Sequence, residues 1–149
     1  MRLAAVIIVF VTLSVPGVLQ SADRGASMTS VGSVAHEEVI EGVKATFKVL
    51  DMKESMRLHG TEMPKGIKET HHLAVQFTDA ETGKLLIQGE ARVKVQGPDR
   101  SEQTRDLARM MGHFGVDLDL SKKGSYGMMV KFKVADNKVR TTRFWYVVK

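Results

Sequence analysis

Several stretches of this 149-residue chain alternate apolar and polar residues one by one, a pattern that can bury a continuous apolar face only as a β-strand. From Val43 the order V-K-A-T-F-K-V sets Val43, Ala45, Phe47 and Val49 on one face and Lys44, Thr46 and Lys48 on the other. His71 to Thr78 repeats the pattern, with His71, Leu73, Val75 and Phe77 against His72, Ala74, Gln76 and Thr78. Further strands are predicted at Leu85 to Ile87, Glu90 to Val95, Val116 to Leu120, Tyr126 to Val134 and Val139 to Val148. Turn chemistry separates them: Asp79 to Gly83, Gly97-Pro98, Lys122-Lys123-Gly124 and Ala135 to Lys138. Ser101 to Met111 is predicted as a short helix or helical loop, because Ser101 can cap it and Leu107 aligns with Met110 and Met111. Seven short strands at this spacing predict an all-β fold, an immunoglobulin-like antiparallel β-sandwich. A small barrel is the alternative, since alternation along one chain does not say how a sheet closes.

The first 22 residues, MRLAAVIIVFVTLSVPGVLQSA, read as a signal peptide: Arg2, an apolar run to Leu19, then Ser21 and Ala22. Cleavage is expected between Ser21 and Asp23, with an uncleaved N-terminal anchor as the alternative, so the chain is placed in the periplasm with no stable membrane span after cleavage. Residues 23–36 are small and polar and read as a flexible segment, leaving 37–149 as one domain. With no cysteine in the chain, disulfides and an acyl anchor on cysteine are excluded, and the core must supply stability. The 22 Lys and Arg against 17 Asp and Glu give a formal net charge of +5, and the basic residues alternate with acids along the chain. That dispersion, with export, argues against nucleic acid as a partner.

Nine methionines are the compositional anomaly. Thioethers fill cores adaptably, and they also coordinate monovalent copper, while neutral imidazole serves copper, zinc, iron or nickel. Residues 51–72, between two predicted strands, hold Met52, Met56, His59, Met63, His71 and His72. Met52, Met56, His59 and Met63 fall at helical spacing, although Gly60 and Pro64 oppose a helix through the whole stretch. A second cluster is Met110-Met111-Gly112-His113, where Gly112 permits a tight bend. His71, on the apolar face at a strand start, is predicted to meet His113 at one end of the fold, with Met111 and Met63 added. His59 and Met110 are the further candidate donors. Copper is the metal this set favours. Iron, through Glu62 or Glu69 beside the histidines, ranks lower, and zinc lower still without cysteine. Packing is the competing account of the same methionines.

No other chemistry has a local signature. His36-Glu37-Glu38 continues into Val39 and Ile40 without the second histidine of a helical metalloprotease motif, and no glycine-rich phosphate loop occurs. The serines lack a local nucleophile context, so the chain is predicted not to be an enzyme. Trp145 and Tyr146 read as core or edge packing rather than a sugar platform.

Several local features carry a family resemblance: His71-His72 opening a strand, Asp79-x-x-Thr82-Gly83, Ala91-x-Val93-x-Val95 running into Pro98, Met110 to Gly115, and Gly124-Ser125-Tyr126. Across roughly the last 80 residues these resemble the small exported sandwich modules called YtkA-like and, more distantly, periplasmic proteins of bacterial copper and iron handling. The resemblance implies a binding or accessory protein, with His71, Met111 and His113 as the matching soft donors. The expected function is thus a periplasmic metal-binding protein that sequesters or delivers copper, with an envelope protein or metal transporter as partner. The rival expectation is a non-catalytic interaction or structural domain whose strand edge pairs with another envelope protein.

Overall fold

A computed structural model of the protein describes residues 32–149. The predicted signal peptide, and residues 23–31 of the segment expected to be flexible, lie outside the described residues. Within them the chain is all-β, with eight strands and one short helix. These are β1 (Val34–Ile40), β2 (Val43–Asp51), α1 (Met52–Leu58), β3 (His71–Asp79), β4 (Gly89–Gln96), β5 (Glu102–Arg109), β6 (Phe114–Leu118), β7 (Gly124–Val134) and β8 (Val139–Val148). No helix among these residues is long and apolar enough to cross a membrane.

All neighbouring strands pair antiparallel, in the order β1-β2-β3-β6-β5-β4-β7-β8, giving a single sheet that curls until its ends almost meet. This nearly closed eight-stranded barrel stands where two separate sheets of about seven strands were expected. The two descriptions differ at one corner. There β5 pairs with β6 through only Ala108–Gly115 and Arg109–Phe114, and beyond them the Gln103 amide takes over. It donates to the Asp119 carbonyl at 2.7 Å and accepts from the Asp119 N–H at 3.2 Å.

The interior follows the alternation. Phe47, Leu73, Val75, Phe77, Val93, Val95, Met128, Val130 and Phe132 are all buried, with Phe77 stacked on Phe132 at 4.3 Å between ring centroids. Their burial drives folding, at roughly 25 cal/mol per Å² of apolar surface removed from water. Met128 is core, as its place between Tyr126 and Val130 requires.

Three local expectations are corrected. The Ser101–Met111 helix is a strand, β5, paired with β4 from Ala91–Leu107 to Gln96–Glu102 and laced by the ion pairs Arg92–Asp106 and Lys94–Glu102. Cross-strand partners outweighed a helical spacing that rested on Leu107 and two methionines. The flexible segment ends sooner than residue 36, because β1 begins at Val34. Leu85 to Ile87 is no strand and touches the sheet through one bridge, Leu85 to Thr78.

The seam between β1 and β8 has no backbone ladder and is closed by side chains. His36 stacks on Phe144 with centroids 5.0 Å apart, and the Thr142 hydroxyl donates to Glu38. Arg140, 3% exposed, donates from Nε to the Ile40 carbonyl at 3.1 Å and from Nη2 to the Glu41 carbonyl at 2.9 Å, while gripping Asp136 with both terminal nitrogens. Replacing Arg140 with Met leaves those carbonyls and Asp136 without their donor. A loss of about 2 kcal/mol in urea unfolding is expected, with faster amide exchange along β1. The Arg140 hydrogen bond, then the Lys138 N–H, holds the Asp136 carboxyl well below its ordinary 3.8. A depressed carboxyl stabilises the fold above its unfolded value, and that contribution is lost as pH falls. Asp136→Asn should therefore flatten the stability loss of the wild type between about pH 4 and pH 2.

Candidate metal centre

Strand parity separates the two adjacent histidines of β3. His71 pairs across from Leu118 on the inner face and His72 across from Asp117 on the outer face. His71 is 5% exposed, its ring edge-on to Tyr146 at 5.9 Å. Thr70 Oγ1 accepts from the Leu120 N–H at 3.0 Å and is hydrogen-bonded to His71 Nδ1 at 2.8 Å. Burial lowers the His71 pKa, against a smaller opposing pull from Asp51. His71 is thus buried, with its Nδ1 engaged by Thr70.

His72 lies outside, beside a row of small residues. Ala74 on β3, Gly115 on β6 and Ala108 on β5 form one cross-strand row of the outer face. The His72 ring leans over Gly115. A Cβ added to that glycine would lie 2.7 Å from His72 Nε2 and 3.0 Å from Met110 Sδ. That point is too near the backbone to hold an ion, but it shows an imidazole nitrogen and a thioether sulfur converging over the same glycine. The His72 Nδ1–H donates to Asp117 Oδ1 at 2.7 Å, which leaves Nε2 as the free donor in the neutral ring.

The β5–β6 hairpin brings the third group. Its turn is closed by the Met110 N–H donating to the His113 carbonyl at 2.8 Å, and Gly112 takes a φ of 79°, which a glycine adopts without strain. Met110 and His113 therefore face one another at the mouth of the hairpin, on the same outer side as Ala108 and Gly115. The His113 ring stands edge-on to His72 with centroids 6.4 Å apart. Its Nδ1–H donates to the Met111 carbonyl at 3.2 Å, again leaving Nε2 free.

Of the donors predicted from sequence, the structure brings Met110 and His113 together and sets His72, rather than His71, beside them. Met111 is 84% exposed at the tip of the turn. His59 caps the C-terminal end of α1, its Nδ1–H donating to the Ser55 carbonyl at 2.7 Å. Met63 is half-buried in the connection after α1. Sequence reasoning counted His72 in the donor-rich segment but chose His71 over it, and missed Asp117 as its partner. Both belong to polar faces of alternating strands, and the signal available was Gly115, a glycine in the middle of a strand.

Among the described residues no three His, Asp or Glu side chains are gathered where they could hold a metal ion. Two imidazoles with free Nε2 atoms and one thioether suit a soft ion of low coordination number, and suit less well the oxygen-rich shell of a hard cation.

No family model matches the chain, and no curated protein matches its sequence. Solved structures share its fold. A DUF4426 family protein from Pseudomonas aeruginosa PAO1 is 10% identical with a TM-score of 0.57, covering 76% of this chain and 96% of its own. A copper-bound variant of FetP from uropathogenic Escherichia coli strain F11 is 12% identical with a TM-score of 0.56, covering 76% of this chain and 95% of its own. A copper-bound variant of Campylobacter jejuni P19 is 12% identical with a TM-score of 0.57, covering 79% of this chain and 96% of its own. These comparisons carry the resemblance read from the sequence at the level of fold and not specifically to YtkA-like modules: an all-β architecture that this chain shares with copper-bound proteins.

Proposed function

We propose that this chain is a periplasmic metal-handling protein that binds copper through His72, His113 and Met110 and holds or delivers the ion without turnover. The observation that carries the reading is the convergence over Gly115 of His72 Nε2 and the Met110 thioether, with His113 edge-on to His72 and both Nδ1 atoms tied to protein acceptors. Fixing Nδ1 selects the tautomer and aims the ring, so both imidazoles are ready to accept an ion without first breaking a bond to a neighbour. Copper in the FetP and P19 structures, which share this fold, supports that choice of cargo. The signal-like N-terminal sequence supports export to the periplasm. An envelope protein or metal transporter is the natural recipient for an ion held at an exposed rim.

A second reading has its own observation. Trp145 is 70% exposed and lies over Gly127 on the outer face of β7 and β8, where Val147 is also exposed. That surface suits a non-catalytic interaction domain of the envelope.

Anaerobic titration with monovalent copper against a calibrated chelator, with stoichiometry from native mass spectrometry, separates the two. One tightly held ion is expected, with at least a 100-fold loss of affinity in the His72→Ala/His113→Ala double variant. Unchanged affinity in that variant would remove the site, and no binding by the wild type would leave the interaction domain. Asp117→Asn, which loses the carboxylate behind His72, should weaken binding roughly 10-fold. Gly115→Ala should displace the His72 ring and Met110 and also weaken binding, while circular dichroism and urea unfolding stay close to wild type. The atoms in its way are side-chain ends rather than backbone.

A further inference from the structure

Helix α1 has no buried residue, yet its two methionines face the protein. Asp51 caps it by accepting the Glu54 N–H at 3.0 Å, and the Met52 N–H donates to the Thr70 carbonyl at 2.9 Å, tying the helix start to the chain entering β3. Lys53, Glu54 and Arg57 are exposed. Met52 and Met56, four residues apart, share the opposite face and are half-buried. With Leu50, Ser55 and His72 they line an open cavity of about 220 Å³.

Both methionines are half-buried and border solvent-open space beside His72, so their thioethers are within reach of an incoming ion. The cavity reaches His72 from the β2 side, because Leu50 is the cross-strand neighbour of His72. Asp117, Gly115 and Met110 approach the same ring from the β6 side. His72 therefore stands between a pair of thioethers and the imidazole–thioether cluster of the hairpin.

We infer that Met52 and Met56 form a separate port for monovalent copper, which receives the ion at α1 and passes it across the cavity to His72. The inference rests on the copper reading of His72 and His113. The step is ligand exchange alone: copper stays monovalent, a thioether leaves as an imidazole nitrogen binds, and no electron moves. Two thioethers without a charged donor bind divalent copper poorly, so the port is selective by valence. It also binds more weakly than the histidine site, which sets the direction of transfer.

The test compares rate with affinity on the full protein. Loading from a monovalent copper–chelator complex is followed by stopped flow under anaerobic conditions, with equilibrium affinity from the competition titration. Met52→Leu/Met56→Leu, which keeps the apolar bulk of the helix face, is expected to slow loading at least 10-fold while affinity changes less than 3-fold. Loading with divalent copper should be unaltered. Wild-type loading rates in that variant would overturn the port, as would an equal slowing for both valences, which indicates a disturbed helix. Failure of the histidine site is read separately, as unchanged equilibrium affinity in His72→Ala/His113→Ala.

Discussion

The period-two alternation of β3 is the constraint on which the rest depends. Its inward residues Leu73, Val75 and Phe77 are required by the core, and that requirement fixes the direction of every other side chain in the strand. His71 is committed to the interior, where burial lowers its pKa and Thr70 occupies Nδ1. His72 is committed to the outer face, where Asp117 orients it and Gly115 leaves room beneath it. A slip of one residue would exchange the two histidines and expose three large core residues, so hydrophobic burial positions the candidate metal ligand.

The rest of the barrel serves this arrangement by bringing β6 and β5 alongside β3. The β5–β6 pairing is short, and its tight turn directs Met110 and His113 back over the outer face. Far around the sheet, the β1–β8 seam is held by Arg140, Thr142, Glu38 and His36 instead of a backbone ladder. Polar closure of this kind depends on satisfying each buried group, and among the described residues no buried side-chain nitrogen or oxygen lacks a partner. The fold thus combines a conventional apolar interior with a polar seam and places its soft donors on a rim away from both.

Much of this was readable in advance. The cores of β2, β3, β4, β7 and β8 follow directly from alternation, since each has one apolar face and turn residues at its ends. Met110 and His113 could be paired because Gly112 between them permits the turn. The choice between His71 and His72 could not be made from β3 alone. It depends on β6 lying beside it, with Asp117 opposite His72, a contact between residues 45 apart in sequence. β5 was hidden for a similar reason: its only buried residue is Leu107, and its strand character comes from pairing with β4. β1 was hidden because its seam residues are polar, which blurs the alternation. Closure into a near-barrel is likewise a property of strand order, which no local pattern carries.

The most direct test of the account is the X-ray absorption spectrum of the protein loaded with one equivalent of monovalent copper. Two imidazole nitrogens and at least one sulfur in the copper shell, with the sulfur contribution reduced in Met110→Leu, are the predicted result. A shell of oxygen and nitrogen alone, identical in the wild type and in Met110→Leu, would contradict it.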